Sequence, residues 1–430
     1  MNDIIYNLRD PLIYGLFKYL SLRDFLNCMQ IKFFNSILDC DKFWDKRINI
    51  DFINVLSDPI RKFFIISNIQ SKKDIYKICY NTYMIFKHGI SYRLSSKGNT
   101  EHKSIFSFEE LYNLEKFEVT GYVNTYNLKY ERCNTVLYNL VNLKQLTIEN
   151  VRLLDIPSSI GNLKNLNEFE LCWCENITFP DEFWGLTNLT SLKLFATQLG
   201  KLPDGIANLT NLETLNIDHN GLIDITPITN LKKLKHLSML CNKLTIIPEE
   251  FNSLINLEYL NIMHNEIVDI LPICSSTKLN HLDVGQNKIK NLPNSFNNLK
   301  SLNKLHMNTN KLKSFKNLCG CENLEMLFLD NNEIKSVPKE IMKLDKLKKI
   351  FLYGNHITKI TKEWIIKGKN FELIPKLDFR NNKITDLTPL MKYSKHLSDI
   401  KEINLINNPI EQDWNLPVGF KKYVKAKLIF

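Results

Sequence analysis

The chain has 430 residues, of which 44% are hydrophobic and 24% charged, and its formal net charge is +10. Such a length exceeds one ordinary compact core, so it predicts either two or three domains or a repeat array. Every apolar run is shorter than the roughly 18 residues of a membrane-spanning helix, which excludes a transmembrane segment from our expectations.

Residues 1–51 are predicted to form three short helices. Asp10 precedes Pro11, which puts a capping side chain directly before a proline at the first helical position. A broad apolar stripe follows at helical spacing, and later polar residues at Ser21, Asp24 and Asp41 offer starts for two more helices. The three helices carry more apolar surface than about fifty residues can bury alone.

The stretch from Leu8 to Leu20 resembles the opening of F-box domains, L-P-x-E-L-L-x-x-I-F-x-Y-L. Two residues depart from the family pattern, because Arg9 stands where proline is usual and Phe34 where tryptophan is usual. The resemblance implies docking on the Skp-type adaptor of a cullin–RING (SCF-type) ubiquitin ligase, with the attached repeats selecting the substrate. It assigns the adaptor contact to Leu8, Pro11, Leu12, Leu16, Phe17, Leu20, Phe25, Ile31, Phe34 and Trp44. The alternative is a helical cap whose apolar stripe faces the first repeats.

Residues 52–142 are predicted to be a helical connector and N-terminal cap. Residues 60–69 and 75–86 have helical apolar patterns, whereas the polar stretch 95–103 is expected to be a loop. The segment Leu114–Val119 fits a degenerate first copy of the repeat that follows.

A repeated segment occupies residues 143–413, and its regular copies follow one another every 22 or 23 residues. The regular copies begin at Leu189, Leu212, Leu234, Leu257, Leu279, Leu302, Leu324 and Leu347. Less regular copies begin at Leu143, Leu166, Ile374 and Ile400, which makes about twelve. In each copy two apolar residues alternate with polar ones, as Leu215 and Ile217 do, which predicts a strand with one buried face. Because one copy cannot bury that face alone, neighbouring copies must stack.

The copies resemble the leucine-rich-repeat family, whose pattern is L-x-x-L-x-L-x-x-N-x-L. The resemblance implies an α/β solenoid in the form of a horseshoe, with a parallel sheet on its concave side that binds a protein partner. The predicted fold class is therefore a leucine-rich-repeat solenoid preceded by a small all-α F-box-like domain. A binding scaffold or inhibitor without a ubiquitin role is the alternative function.

One asparagine per copy is expected to bond the tight turn after each strand, since its amide offers donors and an acceptor where no sheet pairing reaches. This asparagine ladder comprises Asn220, Asn242, Asn265, Asn287, Asn310, Asn332, Asn355, Asn382 and Asn408. Earlier copies carry Val151, Cys174 and Thr197 there, so the ladder should be looser at that end.

Prolines mark the connections, as in Leu202-Pro203 and Thr226-Pro227. Since proline lacks a donor and favours extended or 3₁₀ structure, long helices are not expected on the convex side. Residues 414–430 are predicted to cap the C-terminal end, because a bare solenoid end exposes core and a strand edge.

Large apolar side chains at outward strand positions are the candidate partner-binding residues, because a strand face toward water should be polar. They are Trp173, Phe195, Tyr259, Met263, Phe328, Phe351 and Tyr353. Strands roughly 5 Å apart would make Phe328, Phe351 and Tyr353 near neighbours. Three cations are expected nearby to meet an acidic rim on the partner, namely Lys349, Lys376 and Arg380.

No catalytic residue, cofactor or metal site is predicted. Phosphate-loop, kinase and zincin motifs are lacking, and the C-x-C pairs Cys172/Cys174 and Cys319/Cys321 are tighter than zinc-site spacing. A group of histidines is interpreted as surface turn residues: His219, His236, His264, His281 and His306.

The expected location is cytoplasmic or nuclear, because the ten cysteines are scattered and no secretory signal is visible. The positive charge is interpreted as solvated solenoid edges, since no zinc finger or RNA-binding motif accompanies it. Neither a membrane nor a nucleic acid is an expected partner.

Overall fold

The computed structural model describes residues 91–96, 99–101, 115–120, 141–150, 155–361, 376–392, 402–410 and 427–429. The chain divides into two compact units, residues 1–166 and 167–430. The predicted F-box-like helices of residues 1–51 lie outside the described residues, as do the predicted helices at 60–69 and 75–86 and most of the predicted cap at 414–430.

The first unit contains strands β1 (Ser91–Ser96), β2 (Asn99–Glu101), β3 (Lys116–Thr120) and β4 (Gln145–Glu149). β1 pairs antiparallel with β2 and with β3, and β3 pairs parallel with β4. In that parallel pair Phe117 lies opposite Leu146 and Val119 opposite Ile148, as expected for a degenerate first copy.

The loop predicted at residues 95–103 is wrong, because Ser95 and Ser96 lie in β1 and residues 99–101 form β2. The prediction failed because it relied on the polar character of these side chains. A strand at the edge of a sheet is held by backbone hydrogen bonds along one side and needs no continuous apolar run.

The second unit carries one short strand per copy. These strands are β5 (Glu168–Cys172), β6 (Ser191–Phe195), β7 (Thr214–Asn216), β8 (His236–Ser238), β9 (Tyr259–Asn261), β10 (His281–Asp283), β11 (Lys304–His306), β12 (Met326–Phe328) and β13 (Lys349–Phe351). Each pairs in parallel with the next, in chain order. The predicted parallel-sheet solenoid is therefore confirmed.

Three later strands form a second parallel sheet in chain order: β14 (Lys376–Asp378), β15 (Glu402–Asn404) and β16 (Lys427–Ile429). The copy that contains β13 is bonded to the copy that contains β14. Gly354 N donates to Arg380 O at 2.9 Å, and Lys359 forms a parallel bridge with Asp386.

Short 3₁₀ helices follow the strands. They are η1 (Ser158–Asn162) in the first unit and η2 (Asp181–Gly185), η3 (Asp204–Asn208), η4 (Thr226–Asn230), η5 (Glu249–Ser253), η6 (Leu271–Ser275), η7 (Asn294–Asn298), η8 (Lys316–Leu318) and η9 (Lys339–Lys343) in the second. One α-helical turn, α1 (Thr388–Lys392), occurs later. The expected absence of long connecting helices is thus confirmed over the described ranges. None of the helices placed there has the length and apolarity required to cross a membrane.

Proline starts most of these helices. Pro203, Pro248 and Pro293 are extended residues at the N-caps of η3, η5 and η7. The fixed φ of proline suits this transition, and its missing N–H removes a donor that would lack a partner there.

The core lies between the strands and the 3₁₀ helices. Leu215 and Ile217 are both buried, because alternate residues of a strand point to the same face. The helices contribute large side chains to the same layer, and Phe251 and Phe296 are fully buried. Each copy therefore buries its apolar face against the copies on either side.

The asparagines bond adjacent copies. Asn287 Nδ2 donates to Ile262 O at 3.0 Å in the preceding copy and to Val284 O at 3.2 Å in its own. Its Oδ1 accepts from Ile267 N at 3.0 Å. At the N-terminal end of the column, Thr197 N and Oγ1 donate to Asn220 Oδ1 at 3.0 and 2.8 Å, so threonine continues the network there.

Candidate binding surface

The side chains that point away from the core along β6 to β13 form one continuous surface, which we call the strand face. In β10, for example, Leu282 is buried while His281 and Asp283 point to the opposite side and are half-buried. Because all these strands are parallel and in register, equivalent residues of successive copies lie side by side.

Six rings form an unbroken series across the strand face from β8 to β13. We call this series the ring stack; its members are His236, Tyr259, His281, His306, Phe328 and Phe351. Successive ring centroids are 6.2, 4.8, 5.5, 4.1 and 4.7 Å apart. The last three pairs are nearly parallel, with interplanar angles of 9°, 11° and 8°.

Strand register explains the ring stack. His236, Tyr259 and His281 occupy the same strand position in three successive copies and pair directly across the sheet. His306, Phe328 and Phe351 occupy the position two residues further on and are likewise in register. One diagonal step, from His281 to His306, joins the two columns. Rings at strand spacing lie at the distance at which aromatic side chains attract one another.

Sequence reasoning found half of the ring stack. Tyr259, Phe328 and Phe351 were predicted as outward residues, whereas His236, His281 and His306 were interpreted as turn residues, which is wrong. They are strand residues, and counting two and four places from the first leucine of each copy identifies them. Only two of the five histidines fit the interpretation: His219 and His264 follow their strands with a φ of +57°.

A second aromatic group lies at the β5–β7 end. The Trp173 ring is 55% exposed and stands edge-on to Phe195, with centroids 5.2 Å apart. The His219 ring lies 5.2 Å from Phe195 on the other side. The predicted residues Trp173 and Phe195 are therefore together, but no ring contact joins them to the ring stack among the described residues.

The remaining predicted residues lie at the margin of the strand face. Tyr353 is not stacked with Phe328 and Phe351; its hydroxyl accepts a hydrogen bond from Asn331 Nδ2 at 3.4 Å, and the Arg380 guanidinium lies 5.8 Å from its ring centroid. Met263 follows β9 and is half-buried.

Arg380, one of the cations predicted to meet an acidic rim of the partner, is paired with a carboxylate of this chain. Its guanidinium forms a bidentate ion pair with Asp378, with Nε–Oδ1 at 2.9 Å and Nη2–Oδ2 at 2.6 Å. Residues two apart on a strand share a face, so the two side chains meet. Lys349 is half-buried on β13, and the Lys376 side chain lies outside the described residues.

Titratable groups on the strand face are desolvated. Burial lowers the pKa of both His281 and His306 to about 4, with the nearby Lys304 charge as the second cause. Burial also raises the pKa of the Asp283 and Asp330 carboxyls. Both imidazoles are consequently neutral at pH 7, which leaves on each ring a nitrogen that can accept a hydrogen bond or bind a cation.

Three of these groups converge. The donor atoms of His281, Asp283 and His306 all lie within 4.8 Å of one another. Asp283 Oδ1 accepts a hydrogen bond from Gly285 N at 3.0 Å, and Oδ2 lies 4.0 Å from His306 Nδ1. The other ring nitrogen of His306, Nε2, is buried and has no hydrogen-bond partner in the described part of the chain. Sequence reasoning predicted no metal site; it grouped His281 and His306 with three other histidines and did not include Asp283.

The C-x-C cysteines are buried thiols. Burial raises the pKa of Cys319 and Cys321 to about 12, and Cys321 Sγ donates to Phe296 O at 3.5 Å. Cys174 Sγ donates to Cys172 O at 3.3 Å. Such thiols are protonated at neutral pH and pack as small apolar side chains.

Comparison with known proteins places the repeats in a recognised class. Residues 103–245 match a family model described as "Leucine-rich repeat region". No curated protein matches the chain.

Solved structures share the fold. An internalin (inlF) from Listeria monocytogenes is 22% identical with a TM-score of 0.63, over 82% of this chain and 94% of that one. The PEPR1–AtPEP1 structure is 23% identical with a TM-score of 0.54, over 69% of this chain and 42% of that one. The matched family model identifies leucine-rich repeats in residues 103–245, and the regular copies and parallel strands give the second unit the fold of a leucine-rich-repeat solenoid.

Proposed function

We propose that the chain is a protein-binding scaffold that recognises its partner on the strand face. The observation that carries the proposal is the ring stack, which puts six aromatic or imidazole rings on a surface directed toward solvent. Half-buried rings in an ordered cluster on a solvent-facing surface can act as anchors, because aromatic side chains dominate the binding energy of protein interfaces.

The rigidity of the ring stack favours binding. Each inner ring has a neighbour on both sides and is half-buried, so its rotamer is restricted before any partner arrives. Ordering a side chain at an interface costs roughly 0.5–1.5 kcal/mol, and a ring that is already ordered avoids most of this cost. The partner that suits such a surface is a protein segment with apolar side chains that cover the ring edges.

Quantitative capture with matched variants tests this proposal. The double variant Phe328→Ala/Phe351→Ala should weaken a captured partner by at least about 2 kcal/mol, the scale of an interface hot spot. The control is Ile223→Ala/Ile246→Ala, which removes exposed aliphatic side chains (67% and 72% exposed) from the connections after β7 and β8. Equal capture by the ring variant and the parent, with an unchanged unfolding temperature, would place the binding surface elsewhere.

We further propose that the chain is the substrate-recognition subunit of a cullin–RING (SCF-type) ubiquitin ligase, with the strand face holding the substrate. The support is the F-box-like pattern between Leu8 and Trp44 and its position before the repeats. In this role the chain needs no catalytic residue of its own, and it would work in the cytoplasm or nucleus.

A purified Skp-type adaptor tests this role. The full chain should bind it, and Phe17→Glu should abolish binding, because a charge in an apolar interface is left desolvated and unpaired. Lys18→Glu, the neighbouring change on the polar side of the same helical pattern, should bind nearly as well as the parent. If Phe17→Glu instead unfolds the first repeats, the N-terminal helices are a cap, and the chain is a scaffold or inhibitor without a ubiquitin role.

A further inference from the structure

The convergence of His281, Asp283 and His306 follows from sheet geometry. Residues i and i+2 of one strand share a face, which places His281 and Asp283 on the same side of β10. Asp283 pairs in register with His306 on β11, so the third side chain comes from the adjacent strand. Two residues of one strand and one of its neighbour give three donors that approach a common point from the same side.

The donor atoms are close to ligation distance. Two nitrogen or oxygen ligands at about 2.0–2.1 Å from a tetrahedral ion stand roughly 3.3 Å apart. The three donors lie within 4.8 Å of one another, and the His306 Nδ1–Asp283 Oδ2 distance is 4.0 Å. The His281 and His306 rings are within 9° of parallel, so both must turn about their side-chain bonds to point at one ion. Such a rotation needs no backbone movement, and it replaces the parallel contact between the two rings with contacts to the ion.

Two features prepare the group for a cation. Gly285 N holds Oδ1 of Asp283 at 3.0 Å, which fixes the carboxylate and leaves Oδ2 toward His306. Such outer contacts orient ligands in metal sites. His306 Nε2 is buried with no hydrogen-bond partner within the described ranges, so a ring nitrogen is unoccupied.

The donor set selects the class of ion. Two imidazoles and one carboxylate suit borderline divalent ions such as Zn²⁺, whereas Mg²⁺ and Ca²⁺ require oxygen ligands. Three protein ligands leave at least one coordination position open. Since all three come from one face of the sheet, that position points away from it. The Lys304 ammonium near both histidines is the main opposing charge.

We propose that His281, Asp283 and His306 form a binding site for a divalent transition-metal ion at the centre of the strand face. This site is independent of any ubiquitin role, but it lies within the proposed partner-binding surface, because His281 and His306 belong to the ring stack. The open position would be filled by water or by a donor side chain of a bound molecule.

Calorimetric titration of the full chain with ZnCl₂ tests the site, with MgCl₂ and CaCl₂ as the oxygen-preferring ions. The double variant His281→Asn/His306→Asn should bind one Zn²⁺ ion fewer per chain than the parent, or bind that ion at least about tenfold more weakly. The matched control His219→Asn/His264→Asn removes two histidines that follow β7 and β9, outside the ring stack, and should leave the stoichiometry unchanged. Any Zn²⁺ ion bound elsewhere in the chain contributes equally to both double variants, so the difference between their stoichiometries reports on this site.

Two further variants keep the test informative if the double variant is unstable. Asp283→Asn keeps the size of the side chain and should weaken Zn²⁺ at least about tenfold, because the charged ligand is gone. Lys304→Gln removes the opposing charge and should tighten Zn²⁺ binding. Equal Zn²⁺ stoichiometry and affinity in the parent, Asp283→Asn and Lys304→Gln would overturn the proposal, as would equal binding of Mg²⁺ and Zn²⁺ at the same residues.

Discussion

A single side chain in each copy connects that copy to the one before it. Asn287 makes its hydrogen bonds in the turn that follows β10, where the strand pairing has ended and backbone groups would otherwise be buried without partners. Buried polar groups cost free energy unless they are bonded. The amide is the smallest side chain with two donors and an acceptor, which explains why asparagine fills this column.

Replacing Asn287 with alanine should destabilise the middle of the array. Ile267 N loses its acceptor, whereas Ile262 O keeps a hydrogen bond from Asn265 Nδ2 at 3.0 Å. An unpaired buried group costs roughly 1–3 kcal/mol. Chemical denaturation monitored by circular dichroism measures the loss. Asn291→Ala in the same copy is the control, because Asn291 is exposed. Equal unfolding midpoints for the two variants would contradict a structural role for the buried amide.

The residue directly before each ladder asparagine is in the left-handed region. His219, His264 and Thr309 have φ values of +57°, +57° and +56°, and glycine occupies this place once, at Gly354 with +66°. This conformation is less stable by roughly 1–2 kcal/mol for residues that have a Cβ. The copies from His219 to Thr309 therefore tolerate local backbone strain at this position, whereas Asn331, Gly354, Asn381 and Asn407 are residue types that adopt the conformation more readily.

Thr309→Gly should stabilise the protein by up to roughly 1 kcal/mol, because the strain at a β-branched residue is relieved and only part of the gain is lost to unfolded-state entropy. The backbone bonds from Thr309 N to Asp330 O (2.8 Å) and from Asn287 N to Thr309 O (3.2 Å) are unaffected by the change. Differential scanning calorimetry gives the shift in melting temperature. A lower melting temperature would show that the threonine side chain contributes more than its backbone strain costs.

At the scale of an element, two kinds of connection alternate along the array. In one kind, a proline such as Pro203 is the N-cap of the 3₁₀ helix. In the other, an aspartate precedes the helix: Asp224 Oδ1 accepts from Thr226 N at 2.9 Å and from Thr226 Oγ1 at 2.7 Å. Asp269 and Asp386 make the same backbone contact before η6 and α1. In the 22-residue copies, a side-chain oxygen thus accepts a hydrogen bond from the first backbone N–H of the helix. In the 23-residue copies, a proline stands at the N-cap instead.

Asp224→Ala should cost roughly 0.5–2 kcal/mol at pH 7, the range for the loss of a helix-capping side chain. The hydrogen bonds from Thr226 hold the Asp224 pKa below its usual value of 3.8. A carboxyl whose folded pKa is depressed stabilises the fold above the unfolded value and loses that contribution as the pH falls through the folded pKa. The stability difference between parent and variant should therefore be constant from pH 7 to pH 5 and shrink only below about 3.8.

Asp204→Ala is the control for this cap. Asp204 is exposed and begins η3 after a proline, with only a 4.0 Å ion pair to Lys201, so its loss should change stability by no more than about 0.5 kcal/mol. A pH-independent difference between Asp224→Ala and the parent would show that packing, and not the carboxylate, sets the effect.

The sequence predicted the structure well where the repeat period was regular. It failed where the side chains gave no indication of the backbone conformation. The 22/23-residue spacing predicted the strands, and proline predicted the short helices, since both signals are local. The rings of His281 and His306 were missed because a histidine is compatible with either a turn or a strand face. The β1–β2 pair was missed because edge pairing uses backbone groups that every residue carries.

At the scale of the whole array, each copy contacts mainly its neighbours, so the chain has the character of a one-dimensional stack. Stability in such arrays is approximately a sum of single-copy terms and nearest-neighbour terms. The alternation of the two connection types makes the natural unit a pair of copies, one of 22 residues and one of 23. β6 and β9, which the deletion of one pair would bring together, carry buried leucines in the same register, Leu192 and Leu260.

Deletion of residues 212–256, one complete pair of copies, should leave a folded chain. β6 would then lie beside β9, with Leu192 opposite Leu260, and Thr197 would meet Asn265 in place of Asn220. The shortened array should unfold cooperatively at a lower denaturant concentration and with a smaller m-value, because less surface is exposed on unfolding. The shorter deletion of residues 212–245 is the control; it removes less chain but displaces the apolar positions from the core. If both deletions abolish cooperative unfolding alike, the copies are not interchangeable units, and contacts beyond nearest neighbours hold the array together.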